Sequence, residues 1–461
     1  MGCDKKIVLI GAGSASFGMG TIADCLIVGA EELSGATIML HDIDEENLKH
    51  IKKVVNMALK EMEEADEPVD FKIEASTKLE EALQDTSYVI MSIEHGNRVE
   101  GWMQDYYIPL SFGSRQCYGE NGGVGGMFHT FRQVPPMIKI AEAMHDICPD
   151  AWLLNYSNPV PRVTWAINRH MERTRKVKFK NVGLCHGVGS GIAIVDGVLG
   201  GGVSRKCDLV SAGLNHFYFI IKLTTKEPVK LIKYGPHPKE EVPAGTDLLP
   251  KLKERVLTWA KENEKPFIGE LMNIYGYLTY PGESHPGEYI VWSDAYAISV
   301  KYNFQSDARH NKQIKKNLQD TIDGKMHNYW WVRASGERAI PIIIGIENDT
   351  NQHEKAVNIR NDGCIDRFPE DCVVEVPGTV NKSGVHGMKI GRMPRGIESI
   401  LLREAILQDM VVEAAITGDY NTALQALCVD STVPNPNVGR AILDKMLEVQ
   451  KDYLPQFQSK K

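Results

Sequence analysis

The chain lacks the features that would put it in a membrane, in an oxidising compartment or on a nucleic acid. No run of about 18 or more apolar residues interrupts its 461 residues, so no membrane span is expected. No hydrophobic stretch followed by a small-residue cleavage site opens the chain, and secretion is not expected. Lys6 stands where a myristoylation signal on Gly2 would need Ser or Thr. The nine cysteines are an odd number without a Cys-x-x-Cys pair, which fits neither a disulfide framework nor a structural zinc site. Basic residues do not dominate either. Lys plus Arg number 52 against 60 Asp plus Glu, a net charge of −8, which argues against a broad grip on a nucleic-acid backbone. No internal repeat of roughly 20–50 residues is visible. These absences predict a reduced, cytoplasmic protein that uses neither nucleic acid nor membrane.

What is present is an ordinary globular composition, 43% apolar and 24% charged, which excludes global disorder. The length suits two domains of roughly 100–200 residues or one larger unit. Lys6-Ile7-Val8-Leu9-Ile10 is an apolar run of the buried parallel-strand type and ends in Gly11-Ala12-Gly13-Ser14-Ala15-Ser16-Phe17-Gly18. Residues 19–28 then read as a helix, 36–44 as a second strand with an acidic end, 45–62 as a helix and 87–93 as another strand. That alternation predicts right-handed crossovers and a parallel sheet. A glycine turn opening onto a helix, with a carboxylate ending the next strand, is the dinucleotide-binding arrangement. Gly11, Gly13 and Ser14 would lie against the pyrophosphate, while Asp42 would take the ribose hydroxyls and favour NAD over NADP. Ser16 stands where the third glycine of the pattern is expected, and Gly18 lies two residues further on.

Residues 118–129 read as a glycine-dense loop lying close against a ligand, with His129 and Arg132 adjoining. Residues 151–159 are a strand running into the polar turn Asn155-Tyr156-Ser157-Asn158-Pro159. The stretch 209–223 is strand-like and interrupted at Asn215-His216. Beyond it come a helix-rich region near 246–275, a β region near 339–377 and helices from about 397 to 451. Cys185, in Gly183-Leu184-Cys185-His186-Gly187, and His216, in Gly213-Leu214-Asn215-His216-Phe217, are ligand types that suit a borderline divalent metal if both strand ends converge.

The ordered set Ile10-Gly11-Ala12-Gly13-Ser14, Asp42-Ile43-Asp44, Gly122-Gly123-Val124-Gly125-Gly126 with Arg132, Asn155–Pro159, Cys185-His186-Gly187, Gly213–His216 and Glu375-Val376-Pro377 resembles glycoside hydrolase family 4, the NAD- and divalent-metal-dependent glycosidases. The resemblance implies an α/β fold like that of lactate and malate dehydrogenases. A Rossmann-type dinucleotide-binding domain over 1–195 would precede an α+β catalytic domain over 196–461. It implies that Cys185 and His216 bind the metal, commonly Mn2+, and that Asn155 contacts the substrate. It also implies hydrolysis without the usual carboxylate pair. NAD-linked oxidation at carbon 3 of the sugar acidifies the proton on carbon 2. Loss of that proton expels the glycosidic oxygen, water adds, and the hydride returns.

Relatives use an acidic residue or a tyrosine as base; Glu283 aligns best with the acidic version and is the favoured base, with Tyr280 the alternative. His186 stands where some relatives carry an acidic proton donor and is the candidate here. The Cys-His-Gly segment resembles the group acting on unphosphorylated α-glycosides, with an α-glucoside or α-glucuronide favoured over α-galactoside or α-galacturonide. A uronate would need a cation such as Arg115, Arg132 or His129. Two other readings share the N-terminal half: an NAD-dependent 2-hydroxy-acid dehydrogenase, and a binding protein that has lost its chemistry. The apolar residues near 397–430 predict a homodimer or homotetramer.

Overall fold

The computed structural model describes residues 3–13, 17–66, 69–296 and 304–458. Its strands are β1 (Lys6–Ile10), β2 (Thr37–His41), β3 (Lys72–Ser76), β4 (Tyr88–Met91), β5 (Trp152–Asn155), β6 (Asn181–Gly183), β7 (Cys207–Leu214), β8 (Phe217–Thr225), β9 (Val229–Leu231), β10 (Glu240–Val242), β11 (Gln352–Arg360), β12 (Val373–Asn381) and β13 (Gly384–Gly387). Six of them pair in parallel in the order β3-β2-β1-β4-β5-β6, the order of a dinucleotide-binding sheet. The same sheet continues through β11, β12, β7 and β8 by antiparallel pairing, with β13 on β12, while β9 and β10 form a separate ribbon.

Alternation along β1 explains why the sheet is covered on both faces. Ile7 and Leu9 enter one hydrophobic core, Val8 and Ile10 another. The helix Glu45–Glu64 packs on the first face through Leu48, Ile51, Val54, Val55, Ala58 and Met62, the spacing of an amphipathic stripe. Its N-terminus is capped by Asp44, whose side chain accepts from the Asn47 amide at 3.0 Å. The other face is covered by the helices Gly123–Ile147 and Val160–Arg175.

Three expectations shift. The glycine-dense stretch is a loop only to Gly122; a 25-residue helix begins at Gly123. Its first turn is glycine-rich because the preceding loop folds back over it. A Cβ at Gly125 would sit 2.5 Å from the Gly119 carbonyl oxygen, and one at Gly126 2.5 Å from the Asn121 carbonyl carbon. The region near 339–377 contains β11 and part of β12, yet opens with the helix Ala339–Glu347, whose all-round apolar run carries no period that separates helix from strand. That helix returns to the first core through Ile340, Ile342 and Ile343. The division placed at 195/196 falls inside the helix Gly187–Leu199, and the secondary structure breaks at Gly200-Gly201-Gly202 instead.

Candidate active site

β1 ends at Gly11, whose φ of +88° and tight surroundings admit no side chain: a Cβ there would lie 2.2 Å from the Ser92 carbonyl oxygen beyond β4. Gly13 donates its N–H to Asp42 Oδ2 at 2.7 Å, and Asp44 donates to Asp42 Oδ1 at 2.9 Å. Asp42, one residue past β2, therefore braces the turn as well as ending the strand. Gly18 takes the packing role of the third glycine, since a Cβ on it would meet the Ala12 carbonyl oxygen at 2.5 Å. The helix Phe17–Ile27 carries no acidic residue in its first turn. This cradle fits the pyrophosphate and ribose of a dinucleotide. Ser14 and Ser16 lie outside the described residues.

β7 and β8 are antiparallel and joined by the two-residue turn Asn215-His216. His216 sits at φ +64°, an uncommon conformation for a non-glycine residue. The turn brings its Nε2 to 3.3 Å from the Sγ of Cys185, which follows β6 by two residues. The Gly187 N–H also points at that sulfur, at 3.3 Å. Burial holds the His216 imidazole well below its ordinary pKa, aided by His285 and His186, so the ring is neutral and ready to act as a ligand. Burial and the nearby Glu375 push the Cys185 thiol up to about 12.

Glu375 lies beneath this pair, 1% exposed, and accepts from Asn215 at 2.8 Å and Asn358 at 3.2 Å. Among the described residues no three His, Cys, Asp or Glu side chains converge on one metal position. A cysteine sulfur, which would give up its proton on binding, and an imidazole side by side fit a borderline divalent ion that keeps open positions for substrate oxygens.

The two candidate bases separate. Residues 278–280 run along β8, with the Ile220 amide donating to the Leu278 carbonyl at 2.8 Å. This places the Tyr280 ring 5.6 Å from the His216 ring and 4.5 Å from the His285 ring. A Cβ on Gly187 would sit 3.2 Å from Tyr280 Cε2, so this glycine lets the ring close on Cys185. Burial, then Cys185, raises the Tyr280 phenol. Glu283 instead accepts the Phe267 amide at 2.8 Å, in the first turn of the helix Pro266–Tyr275. His186 is exposed, and its Nδ1 lies 3.0 Å from Glu337 Oε1, a hydrogen bond that raises its pKa.

Three other predicted residues point elsewhere. Arg132 is 3% exposed and forms a two-pronged pair with Asp105, plus a bond to Gln450. His129 has both ring nitrogens engaged, Nδ1 at 2.8 Å from the Glu120 carbonyl and Nε2 at 3.1 Å from the Glu94 carboxylate. Asn155 is fully buried, its Oδ1 accepting the Ser157 amide at 2.9 Å and its Nδ2 donating to Thr164 at 3.2 Å. Asn158 at the same turn is half-buried, and its side chain makes no hydrogen bond among the described residues. Asn121, 3.0 Å from His216 Nδ1, and His285, its ring 4.4 Å from the His216 ring, adjoin this pair without having been singled out in the sequence. Asn121 is legible only as a polar residue inside the glycine stretch.

Residues 6–199 match the model of the family 4 glycosyl hydrolases, and residues 211–433 match that of the family 4 glycosyl hydrolase C-terminal domain. An alpha-glucosidase of Erwinia rhapontici is 33% identical over 475 residues, covering 97% of this chain and 98% of that protein. An alpha-galactosidase of Bacillus subtilis (strain 168) is 27% identical over 476 residues, covering 98% and 100%. The crystal structure of a 6-phospho-alpha-glucosidase from gut microorganisms, in complex with NAD and Mn2+, superimposes with a TM-score of 0.80 over 98% of this chain and 99% of that one. It is 21% identical, a likeness of fold. On the matched models and the 33% relative, the chain belongs to glycoside hydrolase family 4.

Proposed function

We propose that the protein hydrolyses an unphosphorylated α-glucoside, using NAD and a divalent ion, with Mn2+ the expected metal. The observation that carries this reading is the 3.3 Å approach of Cys185 to His216 beside the Tyr280 ring. When bound, NAD would supply a hydride acceptor and donor for carbon 3, and the cation a positive charge beside carbons 2 and 3. Cys185 and His216 would hold the cation, and Gly11, Gly13, Ser14 and Asp42 would hold the dinucleotide. Tyr280 would take the proton from carbon 2, its raised phenol needing the positive charge of the cation beside it, because its ring lies against His216 while the Glu283 carboxylate is engaged on a helix terminus. His186, exposed and hydrogen-bonded to Glu337, returns a proton to the leaving oxygen. Asn158 orients the sugar at the end of β5.

The choice of a neutral sugar rests on the three candidate cations. Arg115 pairs with Asp294, Arg132 with Asp105 and His129 with Glu94, so each already has a carboxylate. The 33% identical alpha-glucosidase supports the same choice. All nine cysteines are free, which supports a reducing cytoplasm, and among the described residues no helix is long and apolar enough to cross a membrane. On the helix Arg395–Thr417 most apolar side chains are buried in the chain's own core. Ile406 at 46% and the neighbouring Val429 at 41% exposure are what support a homo-oligomer.

The test is hydrolysis of p-nitrophenyl α-glucoside, α-glucuronide, α-galactoside and α-galacturonide with Mn2+, NAD and thiol, and with each omitted. Nitrophenol release from the glucoside that needs all three, without NADH accumulating, is expected. Steady NADH formation from a 2-hydroxy acid with no nitrophenol would establish the dehydrogenase instead.

A further inference from the structure

We infer that the Asn121 side-chain amide sets the tautomer of His216, and thereby decides whether its Nε2 faces Cys185 as a hydrogen-bond donor or as a free lone pair. The inference rests on the reading that Cys185 and His216 hold a divalent cation.

The geometry is that of a ring gripped on both nitrogens. Nε2 lies 3.3 Å from Cys185 Sγ, and Nδ1 lies 3.0 Å from Asn121 Nδ2. In this arrangement Asn121 donates to Nδ1, so the ring proton of the neutral imidazole sits on Nε2 and points at the sulfur. The Asn121 Oδ1 is then buried without a partner. Turning the amide by half a revolution exchanges its two ends over the same contact. Oδ1 then accepts an Nδ1–H, the buried acceptor is satisfied, and Nε2 presents its lone pair toward Cys185. A ligating histidine needs that tautomer, and a partner on its other nitrogen commonly fixes it. An amide is suited to the position because it offers a donor for the metal-free state and an acceptor for the loaded one.

The loop carrying Asn121 is held for this purpose from two sides. Glu288, 2% exposed, accepts the amides of Glu120 at 2.5 Å and Asn121 at 3.0 Å with one oxygen. Gly122 presses on the same segment, where a Cβ would come within 2.5 Å of Tyr289 Cε1 and 2.8 Å of Glu288 Cβ. Behind it Gly126 lies so close that a Cβ would meet the Asn121 carbonyl carbon at 2.5 Å. The Asn121 backbone is therefore fixed independently of its side chain, whose amide is left to turn against His216. This gives the glycine-rich segment a function that its composition alone does not reveal. Asn121 is a positioning residue, acting on the ligand and not on the sugar.

The experiment is titration of the full-length protein with Mn(II) alone, free ion read by electron paramagnetic resonance. Wild type, Cys185→Ser, Asn121→Asp and Asn121→Ala are compared, each checked for fold by circular dichroism. Asp retains an acceptor but no donor, and Ala retains neither. Wild type and Asn121→Asp should agree within about threefold, while Asn121→Ala should bind at least about tenfold more weakly, in the range seen when a ligand's outer partner is removed. Substituting Co(II) should show a thiolate-to-metal absorption band that is kept in Asn121→Asp and weakened in Asn121→Ala. Equal affinity in Asn121→Ala and wild type, or equal loss in Asn121→Asp and Asn121→Ala, overturns the tautomer assignment while leaving the metal site standing. Wild type that binds no Mn(II), or Cys185→Ser that binds it undiminished, overturns the metal reading and the inference with it.

Discussion

The Arg132 guanidinium lies flat against the Asp105 carboxylate, Nη1 to Oδ1 and Nη2 to Oδ2 both at 2.7 Å, with the two side chains 4% and 1% exposed. Gln450, just past the helix Pro436–Val449, reaches the same pair, so this knot ties the N-terminal half to the chain's last helices. Replacing Arg132 by Met should leave Asp105 buried without its partner and cost on the order of 3–5 kcal/mol. Adding Asp105→Asn should recover a large part of that loss. Urea unfolding of the two single variants and the double variant checks this. A folded Arg132→Met enzyme with an unchanged midpoint and a raised KM for sugar would restore Arg132 to the substrate site.

Tyr280 and Glu283 make opposite predictions. Tyr280→Phe removes the phenol but keeps the ring against His216 and Gly187, so stability should hold while kcat falls by about 100-fold or more. Glu283→Gln should keep kcat within a few-fold and lose roughly 1 kcal/mol, because a carboxylate at a helix N-terminus becomes a neutral acceptor. Substrate deuterated at carbon 2 adds a second readout. Slow exchange of that label into water by Tyr280→Phe and normal exchange by Glu283→Gln is the expected pair, and the reverse pattern would make Glu283 the base.

How far the sequence could be read follows from how local each signal is. The cradle was legible because Gly11, Gly13 and Asp42 act through backbone geometry within one strand–helix–strand unit, and Gly18 shows that the third packing contact tolerates a two-residue shift. Cys185 and His216 were legible as ligand types at strand ends, and the antiparallel β7–β8 turn brings them together. Which of Glu283 and Tyr280 faces inward was not, because they stand three positions apart in one loop and only pairing with β8 and the helix Pro266–Tyr275 separates them. Arg132 misled for a related reason. A buried arginine beside a glycine loop suggests an anion, and its partner Asp105 lies 27 residues earlier on a separate helix with no sequence mark.

Asn155 and Asn158 belong to one motif but differ in how they are held, and the proposed function gives them different roles. The Asn155 amide closes its own turn through Ser157 and Thr164, while Asn158 ends that turn half-buried with its amide unengaged among the described residues. Asn155→Ala should therefore lower the stability by about 1–3 kcal/mol, since buried partners lose their bonds. Asn158→Ala should leave the stability within about 0.5 kcal/mol and raise KM for the glycoside roughly tenfold. Paired thermal melts and steady-state kinetics decide. A KM effect confined to Asn155→Ala would return the substrate role to that residue.

Glu404, on the helix Arg395–Thr417, is 2% exposed and lies 3.3 Å from the Arg162 guanidinium. Burial outweighs the attraction of Arg162 and pushes its carboxyl up to about 7. In the unfolded chain the group titrates near 4.3, so between those values the folded state holds a proton that the unfolded state has lost. This contribution to stability is complete below the unfolded value and disappears as pH rises through about 7, a change of order 3 kcal/mol. Glu375, also held up to about 7 by burial, adds a slope of the same sign. Glu404→Gln mimics the protonated form at every pH. It should match wild type only below about pH 4, lead it by about 1 kcal/mol at pH 5, widen that lead up to about pH 7, and show a shallower pH slope than wild type. Urea unfolding of the metal-free protein across that range gives the answer directly, and parallel lines for the two proteins would mean that Arg162 holds Glu404 ionised throughout.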